Sequence, residues 1–459
     1  MGTTEAAELR EAFAGTVLEQ GDDGYEDART IFNAMIDRRP AVIAQCESAD
    51  DVIAALAHAR ERDLEVAIRS GGHSVAGASS VEGGLVVDMR RMNAVEIDPD
   101  ARIARVGGGA TWGDFDGAAQ PYGLMTTGGR VSTTGVAGLT LGGGSTWLER
   151  KYGSTCDHLE SATLVTADGR RVTASESENP ELFWALHGGG GNFGVATELV
   201  FRLEPLASVT LALLLWPSDA GPELARRYRD LIDAGAPEEL GGGFGHITGP
   251  PEDFVPDHLR SALVAAVIGY YAGAEAEFRE ALAPILELSP EAAMIAELPY
   301  AEAQRAIDDP PGYRNYWSAQ FLARLPDEAL EAFCRRAHDM VVPSPSQHVL
   351  FPLGGAVARG ADRWPMPYRR APWAVHPLGL WEEPADDERA IAWARGTVED
   401  VRQFGIEGVY LNFIPDEGED RVVAGYGAEN YDRLAAVKAE YDPDNVFHLH
   451  HNIKPLQPA

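Results

Sequence analysis

Three glycine-rich segments carry residue types and spacings from which chemistry can be built: residues 69–74, read Arg-Ser-Gly-Gly-His-Ser, residues 128–144, and residues 188–194. Glycine lets main-chain N–H groups converge on an anion without side-chain obstruction, so such loops can hold a pyrophosphate with dipoles instead of charges. Any one of them alone reads more simply as a tight turn. None of the three lysines, Lys151, Lys438 and Lys454, stands in the Gly-Lys-Ser/Thr context of a P-loop. The Gly-x-Gly-x-x-Gly at Gly189, Gly191 and Gly194 follows a helical stretch, 180–186, and leads into a strand-like one, 195–203. That is the reverse of the strand-to-helix order a dinucleotide fingerprint needs.

Other chemistries are thinly supported. His-Glu-x-x-His and Gly-x-Ser-x-Gly are absent. Cys46, Cys156 and Cys334 are few, odd in number and far apart, which supports neither a disulfide framework nor a zinc ribbon. The tail cluster His448, His450 and His451 invites a metal reading. On an extended segment His448 and His450 share a face, but no nearby carboxylate or cysteine completes a site, so no metal is expected.

The elements that must position these loops follow from periodicity. Ser48 followed by Asp51 suits a capping box, and Val52, Ala55, Leu56 and Ala59 make one apolar helical face that runs to Asp63. Strands are expected at 65–70, running straight into the Gly-Gly-His loop, and at 84–88, 102–106 and 161–166, the last turning back as a hairpin over 171–174. The 128–144 segment is too rich in glycine for a packed helix or strand and reads as loop. Beyond residue 206 the elements lengthen. Strand-like runs at 209–216, 261–271 and 349–358 alternate with helical runs at 222–234, 274–286, 326–340 and 386–404, the pattern of an α+β domain. A strand at 408–413 and a helix at 431–441 close the chain.

Length and charge bound the rest. A chain of 459 residues points to two or three domains. With 38 basic against 71 acidic side chains, the net charge of −33 repels a phosphate backbone, so no nucleic-acid partner is expected. Almost every basic residue is arginine, a bias that a GC-rich genome or adaptation to high salt would each produce. No stretch is apolar enough to span a bilayer and residues 1–13 lack a basic stretch followed by an apolar run, from which a cytoplasmic location and no membrane partner are expected.

The motifs in order are RSGGHSVAG (69–77), GGRVSTTGVAGLTLGGG (128–144), RKYGSTCDHLESATLVTADG (150–169), NPELFWALHGGGGNFGVATE (179–198), and the tail pieces GVYLNF (408–413), YGAENYDRLAAVK (426–438) and YDPDNVFHLHHNIKP (441–455). This series resembles the FAD-linked oxidases of the berberine bridge enzyme-like family over nearly the whole chain, most of all the bacterial 6-hydroxynicotine oxidase type. The resemblance implies an α+β, two-domain p-cresol methylhydroxylase-type FAD fold with an antiparallel-sheet substrate domain. Its parts would be an FAD-binding domain of two subdomains over 1–205, a substrate domain over 206–407, and a C-terminal segment, 408–459, returning to the FAD domain. It also implies that His73 bonds covalently to the flavin 8α-methyl, which makes the isoalloxazine more electron-poor. Relatives with a second, cysteinyl link carry it where this chain has Val131, so attachment through His73 alone is expected; Cys156 falls too late and reads as a small buried residue. Contacts to the cofactor carry over onto Arg69, Ser70, Gly71, Gly72 and Ser74 in the first loop. In the second they fall on Val131, Thr134 near flavin N5, Gly135, Gly138, Leu139 beside the ribityl chain, and Gly142. Val195 at the adenine half and Asn452 from the tail complete the set.

The family reaction passes hydride from a substrate carbon to the flavin while a base takes the proton of an adjoining O–H or N–H, and dioxygen then gives hydrogen peroxide. The expected partners are therefore a small-molecule substrate and dioxygen, in a monomer or homodimer. Where plant-type relatives end a strand with a catalytic tyrosine this chain has Phe413, which cannot accept a proton. On a regular strand Tyr410 would point to the face opposite Phe413, and Asn412 would share the facing of Tyr410. Tyr410, Asn412, Tyr316 and His376 are the catalytic candidates, with Tyr270, Trp317 and Tyr368 behind them. The missing tyrosine and Ser318, where relatives carry lysine, leave two rivals open: a flavin-containing binding protein with a resistance role, and a dehydrogenase that uses another acceptor.

Overall fold

The apolar stripe Val52, Ala55, Leu56 and Ala59 becomes one face of helix Ala49–Glu61, buried against Val42, Ala44, Val66, Leu85 and Val87. These facts come from a computed structural model of the chain, which describes residues 6–457. Strands Val42–Gln45, Leu85–Asp88 and Val66–Arg69 are parallel, and Thr16–Leu18 adds antiparallel at the edge. The alternate residues Ile43, Ala67 and Val86 enter a second cluster with Tyr25 and Val81, so the parallel strands are apolar on both faces, as covered strands must be. The capping box is only half made. Ser48 Oγ accepts from Asp51 N at 3.2 Å, while the Asp51 carboxylate accepts from Glu47 N and Ala14 N and so ties the preceding loop down instead of closing on Ser48.

A five-stranded antiparallel sheet follows, in the order Val95–Asp98, Ile103–Gly107, Val195–Arg202, Leu159–Val165, Arg171–Ser175. It includes the hairpin expected from sequence. The 128–144 segment departs from the loop reading, because residues Val136–Leu141 form a short helix. Val136, Ala137, Thr140 and Leu141 are buried on one side of it and Gly138 lies on the open side, so its glycine clears space over a helix rather than breaking one. Helices Glu419–Tyr426 and Ala428–Tyr441 complete this unit, which comprises the chain up to Ser145, Thr155–Pro205 and Asp416 onward.

The other compact unit comprises Thr146–Ser154 and Leu206–Pro415. Residues 408–415 thus pack with this unit, and the short 146–154 insert is fastened to it by Arg150, whose guanidinium donates to the Ala236, Pro237 and Leu240 carbonyls. Its antiparallel sheet runs Ala292–Pro299, Ser208–Pro217, Leu263–Tyr271, Leu240–Thr248, Gln347–Pro352, Trp373–Trp381, Arg314–Trp317, with Gln320–Leu322 also pairing Trp373–Trp381. Helices Gly221–Asp233 and Asp327–Arg336 cover one face, where Leu224, Tyr228, Leu330 and Phe333 meet Leu214, Phe244, Val267, Leu350 and Val375. Strand alternation then fixes the other face: His376 and Ala374 turn away from the helices that Val375 and Trp373 touch.

Two expected strands change. The run at 349–358 breaks after Pro352, where Gly354 and Gly355 at φ 89° and 53° turn the chain into helix Gly355–Arg359. Residues 408–413 form no strand; Leu411–Phe413 is a turn of 3₁₀-helix.

Candidate active site

The first and second glycine loops are interlocked. A Cβ on Gly71 would collide with the Gly135 main chain, and one on Gly135 with Gly71 N and Ser70 Oγ, so both positions must be glycine for the loops to touch. Gly135→Ala is accordingly expected to destabilise the protein by about 1–3 kcal/mol and to lower its flavin content, read by thermal melting and visible absorbance. The contact leaves His73 between two hydroxyls of the second loop: Nε2 lies 2.8 Å from Thr133 Oγ1 and Nδ1 lies 3.4 Å from Thr134 Oγ1. Phe32 stacks on the imidazole at 4.0 Å. The ring is half-buried at its surface but sits deep among protein atoms. That desolvation, helped by the Arg69 charge, lowers its pKa to about 3 and keeps it neutral.

The remaining residues of the set belong to the same unit. Arg69 is buried and donates to the Ala28 carbonyl, with its pKa lowered to about 10 by desolvation and then by Arg90. Gly72 has φ 78° and Ser74 Oγ accepts from Ala78 N. Val131 is buried and its carbonyl closes a turn onto Thr134 N. Leu139 is half-buried and Gly138 exposed on helix Val136–Leu141, Gly142 caps that helix, and Val195 opens strand Val195–Arg202 within a core.

FAD is the group the sequence implies, and these residues fit it. Arg69 Nε, Ser70 Oγ, Thr127 Oγ1 and Asn452 Oδ1 are buried with no hydrogen-bond partner among the described residues, and a Cβ on Gly138 would meet nothing within 4 Å. Polar atoms seldom stay buried and unsatisfied; water or a ligand completes them, and a cofactor bound here would do so.

In the other unit, the sheet face turned from the helices carries a run of aromatic rings. Trp147 stacks on Tyr270 at 4.8 Å and meets Phe351 edge-on at 6.1 Å. His376 stacks on Phe413 at 4.0 Å and meets Trp317 at 5.8 Å. Tyr410 packs edge-on against Phe413 at 4.7 Å, and Asn412 Nδ2 donates to Tyr410 Oη at 3.0 Å. The 3₁₀ turn explains this meeting: residues three apart eclipse in such a turn, so Tyr410 and Phe413 share a side that a strand would have denied them. His376 Nδ1 lies 2.9 Å from the Ser318 carbonyl.

The structure does not bring Tyr316 to this group. It pairs with Gly379 on the helix-facing side, and Arg395 of helix Asp387–Val401 donates to its hydroxyl at 2.9 Å. Tyr316→Phe is expected to leave the rate of flavin reduction within about twofold while costing about 1 kcal/mol of stability, measured by stopped-flow and melting. Tyr270 Oη donates to the Ala303 carbonyl and Tyr368 Oη to Met366 Sδ.

Sequence reasoning missed Asp309. It is buried, bonded to Gln347 Nε2 at 2.8 Å, and desolvation raises its pKa to about 7. Gln347 pairs with Leu378, two residues along from the Val349–His376 pair, so Gln347 and His376 share a face. An Asp-Asp-Pro-Pro-Gly stretch reads as a solvated loop, which hid it. In the tail, His448 bonds Glu65 while His450 packs against Gly190. No group of three His, Cys, Asp or Glu among the described residues could hold a metal.

An interlocked glycine cradle with unsatisfied polar atoms, in a chain that also folds an eight-stranded antiparallel sheet with an aromatic face, defines the class: a flavin-linked oxidoreductase. Comparison with known proteins agrees. Residues 40–175 match the FAD binding domain family, and residues 409–454 match the family described as berberine and berberine like. The chain is 33% identical to (R)-6-hydroxynicotine oxidase of Paenarthrobacter nicotinovorans, over 96% of this chain and 97% of that one. It is 29% identical to the FAD-linked oxidoreductase YgaK of Bacillus subtilis, over 96% and 97%. The crystal structure of 6-hydroxy-D-nicotine oxidase from Arthrobacter nicotinovorans superposes with a TM-score of 0.83 at 29% identity, covering 97% of this chain and 98% of that one. Glucooligosaccharide oxidase from Acremonium strictum, described as carrying 6-S-cysteinyl, 8α-N1-histidyl FAD, shares the fold at a TM-score of 0.84 and 24% identity, covering 99% and 100%. The chain belongs to the berberine bridge enzyme-like family of FAD-linked oxidases and is an FAD-dependent oxidoreductase. No helix among the described residues is long and apolar enough to cross a membrane.

Proposed function

We propose that this protein is an oxidase that holds FAD by one covalent bond, from His73, and oxidises an alcohol, amine or heteroatom-flanked C–H of a small or medium organic molecule. The observation that supports it best is the His73 imidazole held between the Thr133 and Thr134 hydroxyls where two glycine loops interlock. Val131 offers no sulfur for a second bond. When bound, the flavin supplies a two-electron acceptor that takes hydride and delivers the electrons to dioxygen, giving hydrogen peroxide.

The protein's own part is positional and acid–base. Tyr410 Oη takes the proton from the substrate's O–H or N–H, and the Asn412 amide orients that oxygen. The stacked Phe413 and His376 rings fix the side of the 3₁₀ turn on which Tyr410 lies and give flat substrates a surface to stack on. The glycine-loop N–H groups hold the phosphates, which is how a chain of charge −33 accommodates an anionic cofactor.

The test is an anaerobic screen of alcohols, amines and oligosaccharides that follows bleaching of the flavin's visible band, followed by admission of air. An oxidase bleaches, then recovers its colour in air with stoichiometric peroxide. Bleaching that persists in air identifies the dehydrogenase, and binding without bleaching identifies the flavin-containing binding protein.

A further inference from the structure

Lys438 is one of three lysines in the chain, and its side chain has no exposed surface. Its ammonium has three donors and three acceptors: Asn192 O at 2.7 Å, Phe447 O at 2.8 Å and Asp442 Oδ2 at 2.5 Å. Asp442 in turn accepts from Val446 N and Phe447 N. Asn192 extends the same knot with its side chain, accepting from Ile453 N at 3.0 Å and donating to the Gly189 carbonyl at 2.8 Å and towards the His450 and His451 carbonyls. The third glycine loop and the tail segment 446–453 are therefore joined at one buried cation. Between the tail anchors at Phe447 and Ile453 lies Asn452, whose Oδ1 is buried with no partner among the described residues. Desolvation pulls the Lys438 pKa down and Asp442 opposes it, so the ammonium depends on its counter-ion.

We propose that Lys438 is a positioning residue for the flavin: with Asp442 and Asn192 it clamps the 188–194 loop to the tail and so presents Asn452 to the cofactor. The clamp makes no contact with reacting atoms. It acts by fixing the main chain on both sides of Asn452, in a stretch where His451 already holds φ 39° and the backbone has little freedom to settle elsewhere. A hydrophobic plug in the same place would fill the volume but could not bond two carbonyls from different segments. This inference rests on the reading of this unit as the flavin site.

The experiment compares full-length wild type, Lys438→Met and the double variant Lys438→Met/Asp442→Leu, each produced with FAD. Three readouts are taken on the folded protein: visible circular dichroism of the flavin, the time course of covalent attachment followed by acid-stable fluorescence, and melting temperature. The double variant leaves no charge uncompensated, which separates loss of the clamp from the penalty of a buried lone carboxylate. Both variants are expected to fold, with visible dichroism altered and attachment slowed at least tenfold. Folded variants with wild-type dichroism and attachment kinetics would overturn the proposal, whatever their melting temperature. Failure of both to fold would overturn it too, since the pair would then be a requirement of folding and not a cofactor device. If wild type itself retains no flavin, the reading of the site fails, which is a separate and recognisable outcome.

Discussion

His73→Ala is expected to release all of the flavin when the protein is precipitated in acid, leaving a colourless, non-fluorescent polypeptide where wild type stays yellow. The argument runs from burial to nucleophilicity. An imidazole of ordinary pKa near 6.5 would be partly protonated near neutrality, and the protonated fraction has no free lone pair to form a bond to carbon. Desolvation, with the Arg69 charge second, brings His73 to about 3, so the neutral ring dominates throughout the physiological range. Attachment in the wild type should therefore show no loss of rate between about pH 8 and pH 5 from this group; a fall through pH 6 to 7 would contradict the assigned environment. In the apoprotein the same depressed pKa makes an acid lability, because the unfolded chain binds a proton as pH falls through 6.5 while folded His73 does not until about 3. His73→Ala keeps Ser70, Gly71, Gly135 and the tail, so it should still bind FAD reversibly. Its flavin, lacking the electron-withdrawing link, should accept hydride more slowly, about tenfold for each 1.4 kcal/mol of lost driving force. Any acid-stable flavin left in His73→Ala would reveal a second link that Val131 cannot supply.

Much of the cradle was legible because its logic is local. The strand Val66–Arg69 runs into Gly71, Gly72 and His73, and sequence alone carries the period of the strand and the break into glycine. Glycine counting misled at 128–144, and strand Leu240–Thr248, which the sequence reading leaves unplaced, shows glycine selected by tertiary contact and not by flexibility. Strand Leu240–Thr248 lies in the middle of the large sheet yet carries Gly241, Gly242, Gly243 and Gly245. A Cβ on Gly241 would strike the Trp147 carbonyl, and on Gly243 and Gly245 the carbonyls of Leu350 and His348. Nothing in the strand's own composition announces those neighbours, which lie about a hundred residues away in either direction. The same holds for Val136–Leu141, where buried Val136, Ala137, Thr140 and Leu141 make a helix through a glycine-rich run. Asp309 was hidden for the converse reason: a carboxylate beside two prolines looks solvated until the sheet it packs on is known.

Tyr410→Phe is expected to slow flavin reduction by about 10²–10⁴-fold with little change in flavin content or melting temperature. The substitution removes one oxygen from a ring whose packing against Phe413 and Tyr368 stays, so a structural role predicts almost nothing and a proton-accepting role predicts nearly everything. The partner variant Asn412→Ala discriminates further. It leaves the phenol in place but removes the amide that donates to it at 3.0 Å, so an intermediate loss is expected together with a shifted pH profile. In wild type, flavin reduction under anaerobic stopped-flow conditions should rise with pH along a limb that belongs to the phenol, and that limb should vanish in Tyr410→Phe. His376→Gln supplies the contrast: its ring stacks on Phe413 and its Nδ1 meets the Ser318 carbonyl, so losing it should loosen the substrate surface, raise KM and leave the limb where it is. If instead His376→Gln abolishes the limb and Tyr410→Phe keeps it, the base is the imidazole and the 3₁₀ turn serves only to carry Phe413. The choice between the two turns on a feature no periodicity reveals, the conversion of 408–413 from an expected strand to a tight turn that brings residue 410 round to the side of residue 413.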